Sequence, residues 1–265
     1  MTKDFLADIV SRKRREVSAL KSAGDLPKRA HQIRQSAPPH RLRDALRSTS
    51  QFIKIIAEFK RASPSRGTIR GDLPPRDVAR FYEKGGAIGI SVLTDSAFAG
   101  SLADLVAVRA ETQLSILRKD FIIDPLQIYE AACAGADAIL LIAAILGDRE
   151  LEALRGVAED ELGLDALMEV HNADELRRVT KAGANIIGIN NRDLRTFEVS
   201  LKTSARLIAE APDHALMISE SGLESAEQLR HFRALGFDGF LIGEQLMRAP
   251  DPATSLRMLT AALEK

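Results

Sequence analysis

Gly135-Ala-Asp-Ala-Ile-Leu-Leu-Ile142 carries the pattern that decides the fold. A glycine that ends a helix leads at once into a short, nearly continuous apolar run, as in a parallel strand covered on both faces. The pattern returns in Gly183-Ala-Asn-Ile-Ile-Gly-Ile-Asn190 and Gly236-Phe-Asp-Gly-Phe-Leu-Ile-Gly243, with a weaker copy in Gly86-Ala-Ile-Gly-Ile-Ser91. The copies recur about every 50 residues, which is two βα units of roughly 25 residues each. Working outward, apolar runs predict strands near 53–59, 88–93, 114–117, 138–142, 166–170, 186–189, 215–218 and 239–242. Amphipathic segments such as 74–83, 148–160 and 225–235 fit as helices between them. Eight such units predict an α/β fold, a closed (β/α)8 TIM barrel over residues 51–265, within a single domain of residues 1–265 whose first 50 residues are an extension. The repeated glycines precede the even-numbered strands, at the end of the barrel away from its chemistry, and receive no functional role.

The first 50 residues lie outside the repeat. Phe5, Leu6, Ile9, Val10, Val17 and Leu20 recur at helical spacing. Pro27, Pro38 and Pro39 punctuate the stretch after this helix, and Leu42, Ala45 and Leu46 suggest a further short one. An N-terminal helical extension is therefore predicted, amphipathic and in need of an apolar surface. Its basic run, Arg12 to Arg15, reads as a solvated helix face.

Composition removes several function classes. Lys+Arg and Asp+Glu both total 37 in 265 residues, so no global field draws in nucleic acid or an anionic membrane. Ten Phe, two Tyr and no Trp offer little for base stacking. The longest apolar run, from Ala138 to Leu146, is far short of the roughly 20 residues that span a bilayer. The N-terminus is too polar for a signal peptide. One cysteine, Cys133 in an Ala-rich helix, allows no intramolecular disulfide, and a cytoplasmic protein is expected. A monomer or weak homodimer is the expected state.

The odd-numbered strands end differently from the even ones. Their C-terminal ends carry Glu58 and Lys60, then Lys119, then Glu169, then Ser219-Glu220-Ser221. Ionisable groups at the end of a buried run are costly unless paired or functional. Four at the face where barrel active sites lie predict a site. Glu58 and Lys60 are two apart and share a direction, as do Asn190 and Arg192 at the sixth strand. Two lysines close together would each be pushed toward the neutral form, which suits a general acid. Across the last two strands, Gly222 and the Gly243-Glu244 pair stand beside incoming helices, where backbone N–H groups hold a phosphate. The Glu244 side chain is predicted to turn away from that anion. His171 is read as a loop histidine without a partner to use it.

With those residues in place, the chain resembles the indole-3-glycerol phosphate synthase family. The resemblance rests first on Ile56-Ala-Glu-Phe-Lys-Arg-Ala-Ser-Pro-Ser-Arg-Gly67. It continues through Ser91-Val-Leu-Thr94, Leu117-Arg-Lys-Asp-Phe121, Met168-Glu-Val-His171, Gly188-Ile-Asn-Asn-Arg-Asp-Leu194, Ser219-Glu-Ser-Gly222 and Gly243-Glu-Gln-Leu-Met247. It implies conversion of 1-(2-carboxyphenylamino)-1-deoxyribulose 5-phosphate to indole-3-glycerol phosphate, carbon dioxide and water in tryptophan biosynthesis. No metal or organic cofactor is implied, because the aniline nitrogen supplies the electrons. By resemblance Lys119 is the general acid of ring closure, and Glu58, Lys60 and Glu169 share the later proton transfers. Asn190 would hold a substrate hydroxyl, while Arg192 and Ser63 would hold anionic groups, with Glu220 and Ser221 also on the substrate. Leu93, Phe98, Phe121, Leu140 and Ile142 are candidates for the wall around the aromatic ring. The extension would pack by the catalytic mouth, so that removing residues 1–45 would leave a folded barrel with reduced turnover. Two alternatives stay open on residue types alone: a Schiff-base sugar-phosphate lyase or aldolase, and a non-catalytic barrel that binds a sugar phosphate.

Overall fold

The computed structural model describes residues 5–21, 24–49, 52–63 and 67–261; positions 64–66 of the first motif lie outside them. Eight strands form the barrel: β1 (Ile55–Phe59), β2 (Gly89–Leu93), β3 (Ser115–Lys119), β4 (Ala138–Ile142), β5 (Asp165–Val170), β6 (Ile186–Asn190), β7 (Leu216–Glu220) and β8 (Gly239–Ile242). Each pairs in parallel with its neighbours in sequence, and β8 pairs with β1 to close the ring. The prediction placed every strand, but β3, β6 and β7 each run one or two residues further than their apolar runs. Those extra residues include Lys119, Asn190 and Glu220. Charge ended the apolar signal before the backbone ladder ended.

Period-two alternation splits the barrel's apolar residues into two shells. Ile56, Leu117, Leu140, Leu167, Ile186, Ile218 and Leu241 fill the interior. Their sequence neighbours, among them Ile55, Ile116, Ile139, Met168, Ile187 and Met217, pack outward against the helices. Gly135 shows what the repeated glycines do. It ends the helix Pro125–Ala134 at φ +92°, and a Cβ there would come within 2.7 Å of the Arg109 side chain. The left-handed turn and the close approach both favour glycine.

The extension forms three helices, α1 (Phe5–Leu20), α2 (Leu26–Arg34) and α3 (Arg41–Arg47). They reach both ends of the barrel. Phe5, Leu6 and Ile9 of α1 join the interior cluster on the side of Phe98, Phe121 and Leu194, at the mouth. Leu42 and Leu46 of α3 join the same cluster from below: Leu42 lies against Gly89 and Leu46 against Gly239, each the first residue of its strand. Both leucines are essentially fully buried. The segment is thus a floor as well as a wall. A cut at residue 45 removes Leu42 and opens the floor, so the expectation that such a barrel stays folded does not fit this packing. The basic run is also only partly solvated. Lys13 is 3% exposed, with Nζ 2.8 Å from Asp95 and 2.7 Å from Asp120, and Arg12 grips Asp95 with its guanidinium. Only Arg14 and Arg15 face solvent.

Leu42→Ala is expected to destabilise the protein by about 2–5 kcal/mol, the cost of a cavity in a well-packed core. Equilibrium urea unfolding checks this. A change below about 0.5 kcal/mol would mean that α3 does not seal the barrel.

Candidate active site

Inward-facing positions advance by two along each strand, and that step builds the site. Above Ile56 comes Glu58, above Leu117 comes Lys119, above Leu167 comes Glu169, and above Ile218 comes Glu220. Each polar group is the next inward residue after an apolar layer, at the C-terminal end of its strand. The ladders fix their spacing: Leu93 pairs with Lys119, Ile142 with Glu169, and Asn190 with Glu220. A cleft of about 670 Å³ opens above them.

Every residue assigned to the site from the sequence lines that cleft. Lys119 is at its centre, with Nζ 3.2 Å from Glu169 Oε2 and 2.6 Å from Glu220 Oε2. Lys60 Nζ is 2.8 Å from Glu58 Oε1. Each lysine therefore has its own carboxylate partners, and, contrary to expectation, Lys119 is not driven to the neutral form. Burial pulls Lys119 toward its neutral form. The charges of Glu220, Glu169 and Glu58 outweigh burial and hold it as an ammonium, above the usual lysine range.

The three carboxylates differ. Burial would raise the pKa of Glu169, but Lys119, His171 and the Asn190 amide together hold it well below the usual carboxylate range. Glu220 is pushed up to about 7 by burial, with Lys119 pulling it back and Glu169 and Glu58 adding to the rise. Its Oε1 is buried with no hydrogen-bond partner among the described residues. A carboxyl group close to neutrality beside a lysine held charged can give and take protons.

On one side Leu93, Phe98, Phe121, Leu140 and Ile142 give an apolar wall, with the Phe98 and Phe121 rings stacked at 6.4 Å between centroids. The opposite side is polar. Arg192 donates its backbone N–H to Asn190 Oδ1, and Ser63 offers a buried hydroxyl with no hydrogen-bond partner among the described residues. Past β7, Ser221 and Gly222 both adopt left-handed backbone, at φ +67° and +80°, bending the chain around this corner of the cleft. Gly243 precedes the short helix Glu244–Arg248 in the same corner. The Glu244 carboxylate lies 3.4 Å from Arg248 and 3.9 Å from Arg192.

Several residues of this site escaped sequence reasoning. Phe5 of α1 packs edge-to-face on Phe197, 5.1 Å between centroids, and both line the cleft. Arg248 adds a cation to the corner formed by Gly222, Gly243 and Glu244. Buried Asn191 braces the end of β7 by donating to the backbone oxygens of Glu220 and Ser221. His171 lies in the loop after β5, as expected, and there it has two carboxylate neighbours that the sequence reading did not consider, Glu169 and Glu175. The spacing Glu169–His171 was a usable signal, since two residues along a strand end share a direction.

A family model described as indole-3-glycerol phosphate synthase matches residues 6–259. The chain belongs to that family. An indole-3-glycerol phosphate synthase of Carboxydothermus hydrogenoformans is 44% identical over 97% of this chain and 100% of its own length. One from Desulfosudis oleivorans is 48% identical over 77% of this chain and 78% of its own. Among solved structures, thiamine phosphate pyrophosphorylase from Pyrococcus furiosus superposes with a TM-score of 0.61 at 16% identity, covering 84% of this chain and 97% of its own. The 3-hexulose-6-phosphate synthase of Salmonella typhimurium gives 0.60 at 15%, over 80% and 98%. At such identities the likeness is one of fold. Membership of the indole-3-glycerol phosphate synthase family assigns the chain a carboxy-lyase reaction of tryptophan biosynthesis.

In this indole-3-glycerol phosphate synthase barrel, Gly188 has a specific purpose. It is the inward residue below Asn190, and a Cβ there would sit 2.1 Å from Glu220 Oε1. Gly188→Ala is expected to displace the Glu220 carboxylate and lower kcat at least tenfold, about 1.4 kcal/mol of barrier. The flexible Glu220 side chain absorbs the clash, so the melting temperature should move by only a few degrees. Wild-type kcat in this variant would show that the placement of Glu220 is not needed.

Proposed function

We propose that the cleft binds 1-(2-carboxyphenylamino)-1-deoxyribulose 5-phosphate and closes it to indole-3-glycerol phosphate, with Lys119 as the general acid. The observation that carries this is the position of Lys119, a charged ammonium between two carboxylates, beneath an apolar wall on one side and an anion corner on the other. In the first step the electron-rich ring carbon that bears the carboxylate attacks the ketone carbon. Lys119 delivers a proton to the ketone oxygen, which becomes a hydroxyl. Loss of carbon dioxide returns its bonding electrons to the ring. The hydroxyl then leaves as water, with one proton supplied to it and one removed from the substrate. Glu58, Lys60 and Glu169 line the cleft where these last transfers take place.

Binding follows the same division of the cleft. Leu93, Phe98, Phe121 and Leu140 hold the aromatic ring, while Asn190, Arg192, Ser63, Glu220 and Ser221 face the polar groups. Backbone N–H groups at Gly222, Gly243 and Glu244 receive the phosphate. Arg248 and Arg192 keep the Glu244 carboxylate from opposing it. Neutral overall charge and a single free cysteine, Cys133, suit a cytoplasmic enzyme. No helix among the described residues is long and apolar enough to cross a membrane. Large exposed apolar side chains such as Ile33, Val106 and Met258 come from separate segments, which suits a monomer or a weakly associating homodimer.

The direct test is the appearance of indole fluorescence on adding the carboxyphenylamino sugar phosphate, against the low background of a chain without Trp. Lys119→Ala is expected to lower kcat by roughly 10²–10⁴-fold, the worth of a general acid, with KM within a few-fold. Near-normal turnover would remove Lys119 from the chemistry. Borohydride in the presence of substrate is expected to trap no covalent adduct, whereas a Schiff-base lyase would be trapped.

Glu244→Gln is expected to change substrate affinity less than about threefold, well under 1.4 kcal/mol, because the backbone makes the phosphate contact. Tenfold tighter binding in a titration would show the carboxylate facing the phosphate.

A further inference from the structure

Glu169 and Glu220 flank one ammonium and are both buried, yet their remaining partners differ. Beyond Lys119, the other buried oxygen of Glu220 has no hydrogen-bond partner among the described residues. Glu169 has a second cation behind it. Its Oε1 lies 3.3 Å from His171 Nε2, an ion-pair distance without hydrogen-bond alignment. The other ring nitrogen, Nδ1, is 3.1 Å from Glu175 Oε2. Glu175 is in turn fixed at the start of the helix Ala173–Lys181, where it accepts from the His171 backbone N–H at 2.8 Å and from Asn172 Nδ2 at 2.7 Å.

A carboxylate is an acceptor only, and a neutral imidazole has just one N–H. An imidazole that meets one carboxylate through a hydrogen bond at Nδ1 and stands 3.3 Å from a second at Nε2 is favoured as the doubly protonated cation, because a lone pair on either nitrogen would face an anion. The charged groups around it are Glu169 from β5, Glu175 from the following helix, and Asp193 from the segment after β6, whose charge also interacts with it. Lys119 lies beyond Glu169, on its other oxygen. Burial pulls His171 toward the neutral form, but Glu169 and Glu175 outweigh burial and raise it to about 10.

We propose that His171 is a positioning residue that decides which of the two carboxylates flanking Lys119 carries a proton: clamped between Glu169 and Glu175, it keeps Glu169 ionised and leaves the proton to Glu220. This rests on the roles given above to Lys119 and Glu169. Two carboxyl groups competing around one ammonium titrate as a coupled pair. A fixed positive charge on one side breaks the tie, so that one member is poised to accept a proton and the other to give one. Without the imidazolium, Glu169 keeps its burial and loses a compensating charge. Its pKa then rises, and the ionised base is lost at a higher pH than in the wild type.

The test compares His171→Gln with wild type from pH 5.5 to 9. The variant is expected to show at least a tenfold deficit in kcat at pH 6 that closes to within threefold above pH 8.5, with KM little changed. Glu175→Gln, which leaves the histidine in place and weakens its clamp, should shift the profile the same way by a smaller amount. In the wild-type protein, 15N spectra of the imidazole rings are expected to show both His171 nitrogens protonated at pH 8, the signal being assigned by its loss in His171→Gln. A deficit in kcat that is the same at every pH, or no deficit, would overturn the proposal, as would a ring that is neutral at pH 8. Lys119→Ala and Glu169→Gln separate the two levels. If both retain normal turnover the reading of the site itself fails; if both fall while the His171 profile stays flat, only the role of His171 fails.

Discussion

The ammonium of Lys119 between Glu169 and Glu220 is the interaction on which the rest of the site depends. A closed eight-stranded barrel has one interior, and the top layer of that interior must contain whatever the strands present next after their apolar residues. Here β3, β5 and β7 present one cation and two anions, and β1 adds Glu58 with Lys60 beside it. Isolated, each charge would be expensive to bury; together they partly compensate one another in a cleft that water shares only partly. The same compensation keeps Lys119 an ammonium and leaves Glu220 as the group nearest neutrality.

The extension ties catalysis to folding through two separate contacts. At the bottom, Leu42 and Leu46 occupy space that glycines at the starts of β2 and β8 leave open. At the top, Lys13 and Arg12 fasten α1 to Asp95 and Asp120, one residue beyond Lys119. Asp120 also receives Thr94 and Arg118, so the clamp continues into the strand that carries Lys119. Helix α1 then places Phe5 over the cleft. A segment outside the repeat thus holds the loops that follow β2 and β3 in the arrangement the chemistry uses.

The barrel, its strand count and the face that bears the site were all legible in the sequence. Glycine-led apolar runs at a fixed spacing are a local signal, and period-two alternation then dictates which residues share the interior. The end-of-strand residues Glu58, Lys119, Glu169 and Glu220 stood out for the same reason: each interrupts a buried run. Lysine pairing was not legible. Whether Lys60 faces Lys119 or Glu58 depends on how the ends of β1 and β3, two strands apart in the ring, converge at the mouth, and sequence separation carries no information about that distance.

His171 shows the boundary most clearly. Its neighbours Glu169 and Glu175 are two and four residues away, yet their value as partners depends on a strand ending and a helix beginning between them, and on Lys119 arriving from β3 to hold the other oxygen of Glu169. The sequence by itself determined the closed parallel barrel, because hydrophobic period and helix-ending glycines act over a few residues. Only the tertiary structure decided the charge of each group in the cleft, because a pKa is set by burial and by charges a few ångströms away, and barrel closure brings those charges from strands 50 to 100 residues apart.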